Sequence, residues 1–237
     1  MRTVILAAGR GSRLGDRTAD KPKLFLQVNG QTVYEYQRDV LDTYTDDVTV
    51  VLGHGFEDAN GQIDEVVDVD GDADASGVYL EEWPEVENAA SLARALREFE
   101  ADDRDDHVLV VCGDVLFSED ALSTVVDRFL ARYRHSGHNA VGCIEGVQDE
   151  MTAVRYDDEG VITDYGAIPG HQEVGLFVLH KDHLAAAREV LEENPHDWFP
   201  IAFTATPSKR VTVPEDERHE INTPDQLAAV ESGMAWQ

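Results

Sequence analysis

The densest run of chemically useful residues lies at the start of the chain. It is Leu6-Ala7-Ala8-Gly9-Arg10-Gly11-Ser12-Arg13-Leu14-Gly15, followed by Lys21-Pro22-Lys23. The apolar run 3–8 reads as a buried strand, and it ends in a glycine-rich turn. Such a turn puts bare backbone N–H groups at the carboxyl end of a sheet, where α/β folds bind ligands. Glycines let the backbone approach a phosphate closely, and the N–H groups form an anion nest. Arg13 and Lys23 add fixed positive charge. The chain has only four lysines, Lys21, Lys23, Lys181 and Lys209, so cations clustered beside this turn carry information.

Two familiar phosphate loops are excluded. A Walker A loop needs GxxxxGK followed by Ser or Thr, and the chain has no such string. A dinucleotide fingerprint needs GxGxxG, and counting from Gly9 and Gly11 the third glycine place holds Leu14. A second candidate is Gly113-Asp114, which closes the apolar run 107–112. An aspartate there would lie at the carboxyl edge of the sheet, facing the turn. One carboxylate plus phosphate oxygens suits Mg²⁺, which keeps much of its own water. The plainer reading, Asp114 as a helix cap, competes with Ser118, which can cap the same helix.

The elements that must position these groups follow from periodicity. Strands are expected at 3–8, 48–52, 77–82 and 107–112, with helices at 32–41, 89–99 and 118–134. This alternation points to an α/β fold, a mostly parallel sheet flanked by helices. The second half changes character, with short strands at 140–146, 153–156, 161–165 and 175–179 and helices at 181–193 and 224–232. Asp157-Asp158-Glu159-Gly160 has the composition of a hairpin turn. The chain reads as one domain over 1–237, with a nucleotide-binding half at 1–135 and an acceptor-binding half at 136–237.

Composition narrows the function class. There are 48 Asp plus Glu against 19 Lys plus Arg, a formal charge of -29. A nucleic-acid binder needs a basic surface, and an acidic membrane would repel this chain. The acids are scattered as a solvated skin, which favours a halophilic, salt-rich cytosol over an ordinary acidic protein. Cys112 and Cys143 sit in apolar runs and suggest no disulfide framework. With no signal-like segment and no long apolar run, a cytoplasmic location is expected.

Several features are discounted. Asp68, Asp70, Asp72 and Asp74 alternate as in a calcium loop, but Ala73 and Tyr79 occupy the places that need Gly and Glu. His135 and His138 read as a surface pair. Trp83, Trp198 and Trp236 read as packing groups, and 102–106 as a solvated loop.

The string LAAGRGSRL…KPK resembles the signature of the sugar-phosphate nucleotidyltransferase superfamily. That resemblance implies a Rossmann-like, glycosyltransferase-A-type fold. It implies that Leu6, Ala7, Ala8, Gly9, Arg10, Gly11 and Ser12 cradle the phosphates of an NTP, with Arg13 and Lys23 as the catalytic cations. It makes Asp114 a ligand of a catalytic Mg²⁺. Glu220-Ile221-Asn222-Thr223-Pro224 resembles the family's closing motif, which makes Asn222 the second ligand and Glu220 a neighbour. Glu87-Asn88-Ala89-Ala90-Ser91-Leu92 resembles the N-x-x-S-L stretch of branches acting on phosphocholine and inositol phosphate. By that likeness Asn88 and Ser91 lie near base and ribose, and CTP is favoured, then UTP. Helix capping is the competing reading of both residues. Glu173-Val174-Gly175-Leu176-Phe177 resembles the acceptor-side strand, which nominates Glu173 and Gly175. No EKP string precedes that strand, which sets the chain apart from the hexose-phosphate branch. The expected acceptor is a phospho-alcohol or a sugar 1-phosphate. A molybdopterin guanylyltransferase-like enzyme and a silent nucleotide-binding regulator are the alternatives. A homodimer enters only as a family-level expectation.

Overall fold

The computed structural model describes residues 1–45, 47–56, 75–102, 105–148 and 152–233. The acidic segment with Asp68, Asp70, Asp72 and Asp74, together with Trp236, lies outside the described residues.

The centre is a nine-stranded mixed sheet. Its strands in chain order are β1 (Arg2–Ala7), β2 (Val48–Leu52), β3 (Ser76–Tyr79), β4 (Val108–Cys112), β5 (Asn139–Gln148), β6 (Thr152–Tyr156), β7 (Ile162–Ala167), β8 (Gly170–Leu179) and β9 (Ser208–Thr212). The principal order across the sheet is β7-β6-β8-β4-β1-β2-β3, and β8 also pairs with β5, which pairs with β9. Strands β4, β1, β2 and β3 run parallel, and β8 enters antiparallel beside β4. The two halves of the chain therefore share one sheet.

The central parallel strands β1, β2 and β4 are largely apolar runs because helices cover both faces. Ile5, Leu109 and Val111 point to one face, under α1 (Val33–Leu41) and α3 (Glu119–Arg128). Val4, Val108 and Val110 point to the other, under α2 (Asn88–Ala101), α4 (Leu184–Glu193) and α5 (Ile201–Ala205). A last helix, α6 (Pro224–Gly233), closes the described chain.

Local chemistry sets the helix starts. Thr32 and Glu35 form a reciprocal capping box on α1. Ser118 accepts a hydrogen bond from Ala121 N at 2.9 Å and caps α3, which frees Asp114 from that task. Past α3 the chain widens into a π-type turn over Phe129–Tyr133 and stops at Gly137, whose φ is 66°. The turn before β7 forms as its composition suggests: Asp157 Oδ1 accepts from the N–H groups of Glu159 and Val161, both at 2.9 Å.

The stretch 102–106 is not simply solvated. Asp102 receives the Arg2 guanidinium at 2.7 Å, and Asp105 pairs with Lys181. Arg2 also stacks 3.8 Å from the centre of the Phe99 ring, so the pair fastens the end of α2 to β1.

Candidate functional site

The site is built where β1 and β4 end side by side. Gly113 N donates to Leu6 O at 3.0 Å. A Cβ at position 113 would stand 2.7 Å from Leu6 O, so only glycine lets the β4 turn lie this close to β1. The result puts Asp114 directly against the glycine loop. From below, α1 holds the same turn: Gln37 Nε2 donates to Cys112 O at 2.9 Å and to Val115 O at 2.7 Å.

The loop after β1 is fixed at its base. His54 N donates to Ala8 O at 3.0 Å, and His54 Nε2 contacts Thr18 O at 2.8 Å. Gly11 takes φ 61° and opens a 3₁₀ turn over Ser12–Thr18, with Thr18 Oγ1 donating to Gly11 O at 3.0 Å. A cleft of about 190 Å³ opens above this loop. Leu6, Ala7, Ala8, Gly9 and Gly11 form one side of it, and Asn88 and Ser91, at the start of α2, form the other. Trp83 lies in the same wall, and Lys23 and Asp114 stand together in the lining.

The charged centre is compact. Lys23 Nζ donates to Asp114 Oδ2 at 2.9 Å and to Asn222 Oδ1 at 2.6 Å. Backbone geometry holds the two acceptors in register. The short strands Val115–Phe117 and Arg218–Glu220 pair antiparallel, and Ile221 N donates to Asp114 O at 2.9 Å. Gln226 Oε1 accepts from the N–H groups of Asn222 and Thr223 at 2.8 and 3.0 Å, which seats Asn222 at the start of α6. Asn222 Nδ2 donates to Glu220, whose other oxygen takes Arg218 at 3.0 Å.

Glu173 completes this group from β8. Burial pushes its carboxyl up to about 7, helped by the carboxylates of Glu220 and Asp114 and opposed by Arg218 and the Gly175 N–H. The Cys112 thiol is driven up by burial and by Glu173, Asp114 and Glu220, so it stays protonated and is no nucleophile. Burial also pushes Cys143 up to about 12. Both cysteines are free thiols.

Residues 3–198 match the MobA-like NTP transferase domain. The chain belongs to this family. Over 198 residues, 79% of the chain, it is 29% identical to the CMP-5'-(3-aminopropyl)phosphonate synthase of Streptomyces rubellomurinus, of which it covers 27%. Over 169 residues, 71% of the chain, it is 31% identical to a UTP–glucose-1-phosphate uridylyltransferase of Haloferax volcanii, of which it covers 63%. The chain thus spans less than two thirds of each of these relatives. The fold is shared with the CTP:phosphocholine cytidylyltransferase of Streptococcus pneumoniae, at a TM-score of 0.69 and 16% identity over 98% of this chain and 97% of that one. It is shared equally with the inositol-1-phosphate CTP transferase of T. maritima, at a TM-score of 0.69 and 19% identity over 99% and 97%.

Of the residues nominated from sequence in this family member, Lys23, Asp114, Asn222 and Glu173 form one electrostatic cluster. Leu6 to Gly9, Gly11, Asn88 and Ser91 line the adjoining cleft. Asn88 caps no helix end with its side chain. Its Oδ1 accepts from Phe199 N at 2.7 Å and ties α2 to the 195–199 turn. Arg10, before the 3₁₀ turn, and Ser12 and Arg13, on it, are exposed outside the cleft lining, and neither arginine pairs with another described residue. Gly175 is buried with φ 75°, and its missing Cβ makes room for Val115 and Cys112, so its close approach is to the protein interior. His138 Nδ1 bonds Ser136 Oγ at 2.9 Å, in keeping with a surface role.

Gln37 and Arg218 are supporting residues that motif reading missed. Gln37 had a signal: it occupies the buried stripe of α1 with Val33, Tyr34 and Leu41, where an apolar side chain is expected. Trp198 departs from its reading as a packing group, being 38% exposed. Among the described residues no helix is long and apolar enough to cross a membrane.

Proposed function

We propose that the chain transfers a nucleoside monophosphate from CTP or UTP to a small acceptor bearing a phosphate or phosphonate, and releases pyrophosphate. The observation that carries this reading is the meeting of the glycine loop, Lys23 and Asp114 in the lining of one cleft, with Asn222 bonded to Lys23 beside it. The family and the nucleotide-transferring relatives support it.

The chemistry asked of the protein is positioning and charge stabilisation. An acceptor oxygen forms a bond to the α-phosphorus. The bond from that phosphorus to the β-phosphate bridging oxygen breaks, and pyrophosphate leaves with the electron pair. The attacking oxygen is already anionic, so no general base is needed. In this reading the loop N–H groups and Lys23 meet the charge that builds on the departing group, and Arg13 is assigned to the same charge.

The residues also fit a Mg²⁺ ion. Among the described residues no three carboxylates, imidazoles or thiolates gather into a metal cage. However, Asp114 and Asn222 already converge oxygen atoms on a cation, the Lys23 ammonium. A site of one carboxylate and one amide oxygen, completed by phosphates and water, is the arrangement Mg²⁺ accepts. When bound there, the ion would neutralise phosphate charge. Asp114 and Asn222 would hold it, while Lys23 would turn to the phosphates.

The test is pyrophosphate release with each of the four NTPs against a panel of phosphorylated acceptors, with and without Mg²⁺. Release that requires both a pyrimidine NTP and an acceptor supports the assignment. Nucleotide binding without release across the panel would instead favour a regulator.

A further inference from the structure

A second cleft opens beside the first and shares Glu87 as a wall. Tyr165 on β7 and Trp198 form an aromatic corner in it, with centroids 6.3 Å apart and planes at 87°. No Arg or Lys lines it, whereas Glu87, Asp164 and Asp197 do. Asp164 is partly engaged, accepting from Tyr165 N at 3.0 Å and lying 3.7 Å from Arg155. The side chains of Glu87 and Asp197 are exposed and make no hydrogen bond or ion pair with other described residues. Their backbones are nevertheless fixed: Glu87 N donates to Pro195 O at 2.9 Å, and Asp197 O accepts from Ala89 N at 3.2 Å. The indole of Trp198 is left open beside these free carboxylates.

Glu87 joins this cleft to the first, since it lines both. The ring of Tyr165 meets Trp198 within the second cleft. An acceptor seated against Trp198 therefore lies beside the cleft that holds the glycine loop, Lys23 and Asp114.

We propose that this second cleft receives the non-phosphate end of the acceptor, and that this end is a cation, an ammonium or alkylammonium group. The inference rests on the nucleotidyl-transfer reading above. A cation placed against an indole face is attracted by the ring quadrupole, and Glu87 and Asp197 supply opposite charge from the rim. A neutral polyol or hexose gains neither contribution. The acceptor is thus a zwitterion whose phosphate or phosphonate oxygen forms the new bond to the α-phosphorus as pyrophosphate departs, while the ammonium takes no part in bond exchange.

The experiment compares phosphocholine and 3-aminopropylphosphonate with 3,3-dimethylbutyl phosphate, the uncharged shape-mimic of phosphocholine, and with glucose 1-phosphate, using CTP and UTP. The cationic acceptors should exceed the uncharged mimic in kcat/KM by about tenfold or more, which corresponds to about 1.4 kcal/mol. Trp198→Leu should raise KM for the cationic acceptors by about tenfold while leaving KM for the NTP and for the uncharged mimic near wild type. Trp198→Phe should recover part of the loss. Turnover of the uncharged mimic or of glucose 1-phosphate as well as the cationic acceptors overturns the cleft assignment and leaves nucleotidyl transfer standing. If no acceptor turns over, the transfer reading itself fails. Calorimetry in the presence of CTP then decides the cleft: phosphocholine must bind more tightly than its uncharged mimic, and equal binding sinks the proposal.

Discussion

Lys23 Nζ donates to Asn222 Oδ1 at 2.6 Å across 199 positions of sequence. The same ammonium reaches Asp114 Oδ2 at 2.9 Å, so one side chain ties the first loop, the β4 turn and the start of α6. Two oxygen acceptors held around one cation make the least dispensable point of the site.

Asp114→Ala is expected to lower kcat by on the order of a hundredfold or more, because it removes the carboxylate bonded to that cation. Steady-state pyrophosphate release measures it. A rate near wild type with saturating Mg²⁺ would take Asp114 out of the reaction.

Gln37 should act as a positioning residue. Gln37→Leu keeps the packing volume but leaves Cys112 O and Val115 O without their donor, at a cost of about 1–3 kcal/mol for each unsatisfied group. Urea unfolding should show that loss. At a temperature where the variant is folded, kcat should fall while KM for the NTP changes little. Equal loss in both constants would argue that the whole loop has moved.

Acid should weaken the fold through His107. Burial, then the neighbouring His180, Arg134 and Lys181, push its imidazole down to about 4. The unfolded chain takes up that proton near 6.5, so it binds more protons than the folded chain between these values. Stability from this group is therefore complete above about 6.5 and declines as the pH falls towards 4. Glu173, held up to about 7, changes stability in the opposite sense over the same range, so the His107 share is read by difference. In chemical denaturation, His107→Leu should gain stability relative to the wild-type chain on going from pH 7.5 to pH 5. An unchanged difference between the two chains would assign the effect elsewhere.

Salt should stabilise the protein. A net charge of -29 repels itself, and the screening length shrinks from about 10 Å at 0.1 M to about 3 Å at 1 M. The melting temperature is expected to climb steadily across that range of NaCl. A flat response would mean that the acids are already balanced within the fold.

The first half of the fold was legible because β1, β2 and β4 are largely apolar runs that lead into Gly9, Gly53 and Gly113, and the loop and Asp114 follow from those ends. The second half was harder. Strand β9 reads Ser-Lys-Arg-Val-Thr and pairs with β5 at the side of the main sheet path, and nothing in its composition separates it from a polar loop. The strand Arg218–Glu220 is wholly charged or polar, and its pairing with Val115–Phe117 shows only in three dimensions. The motifs identified Lys23, Asp114 and Asn222 but not their direct contact, since spacing in sequence says nothing about which partner a lysine takes. Trp198 escaped because large aromatics usually pack, and its exposure depends on how the 195–199 turn leaves Asn88.

The antiparallel entry of β8 beside β4 has a mechanical consequence. Strand β8, which carries Glu173, is hydrogen-bonded to β4, which ends just before Asp114, so among the described residues no hinge runs between the two clefts. Swinging one half away from the other would mean tearing the middle of the sheet. The spacing between the two clefts is thus set when the protein folds.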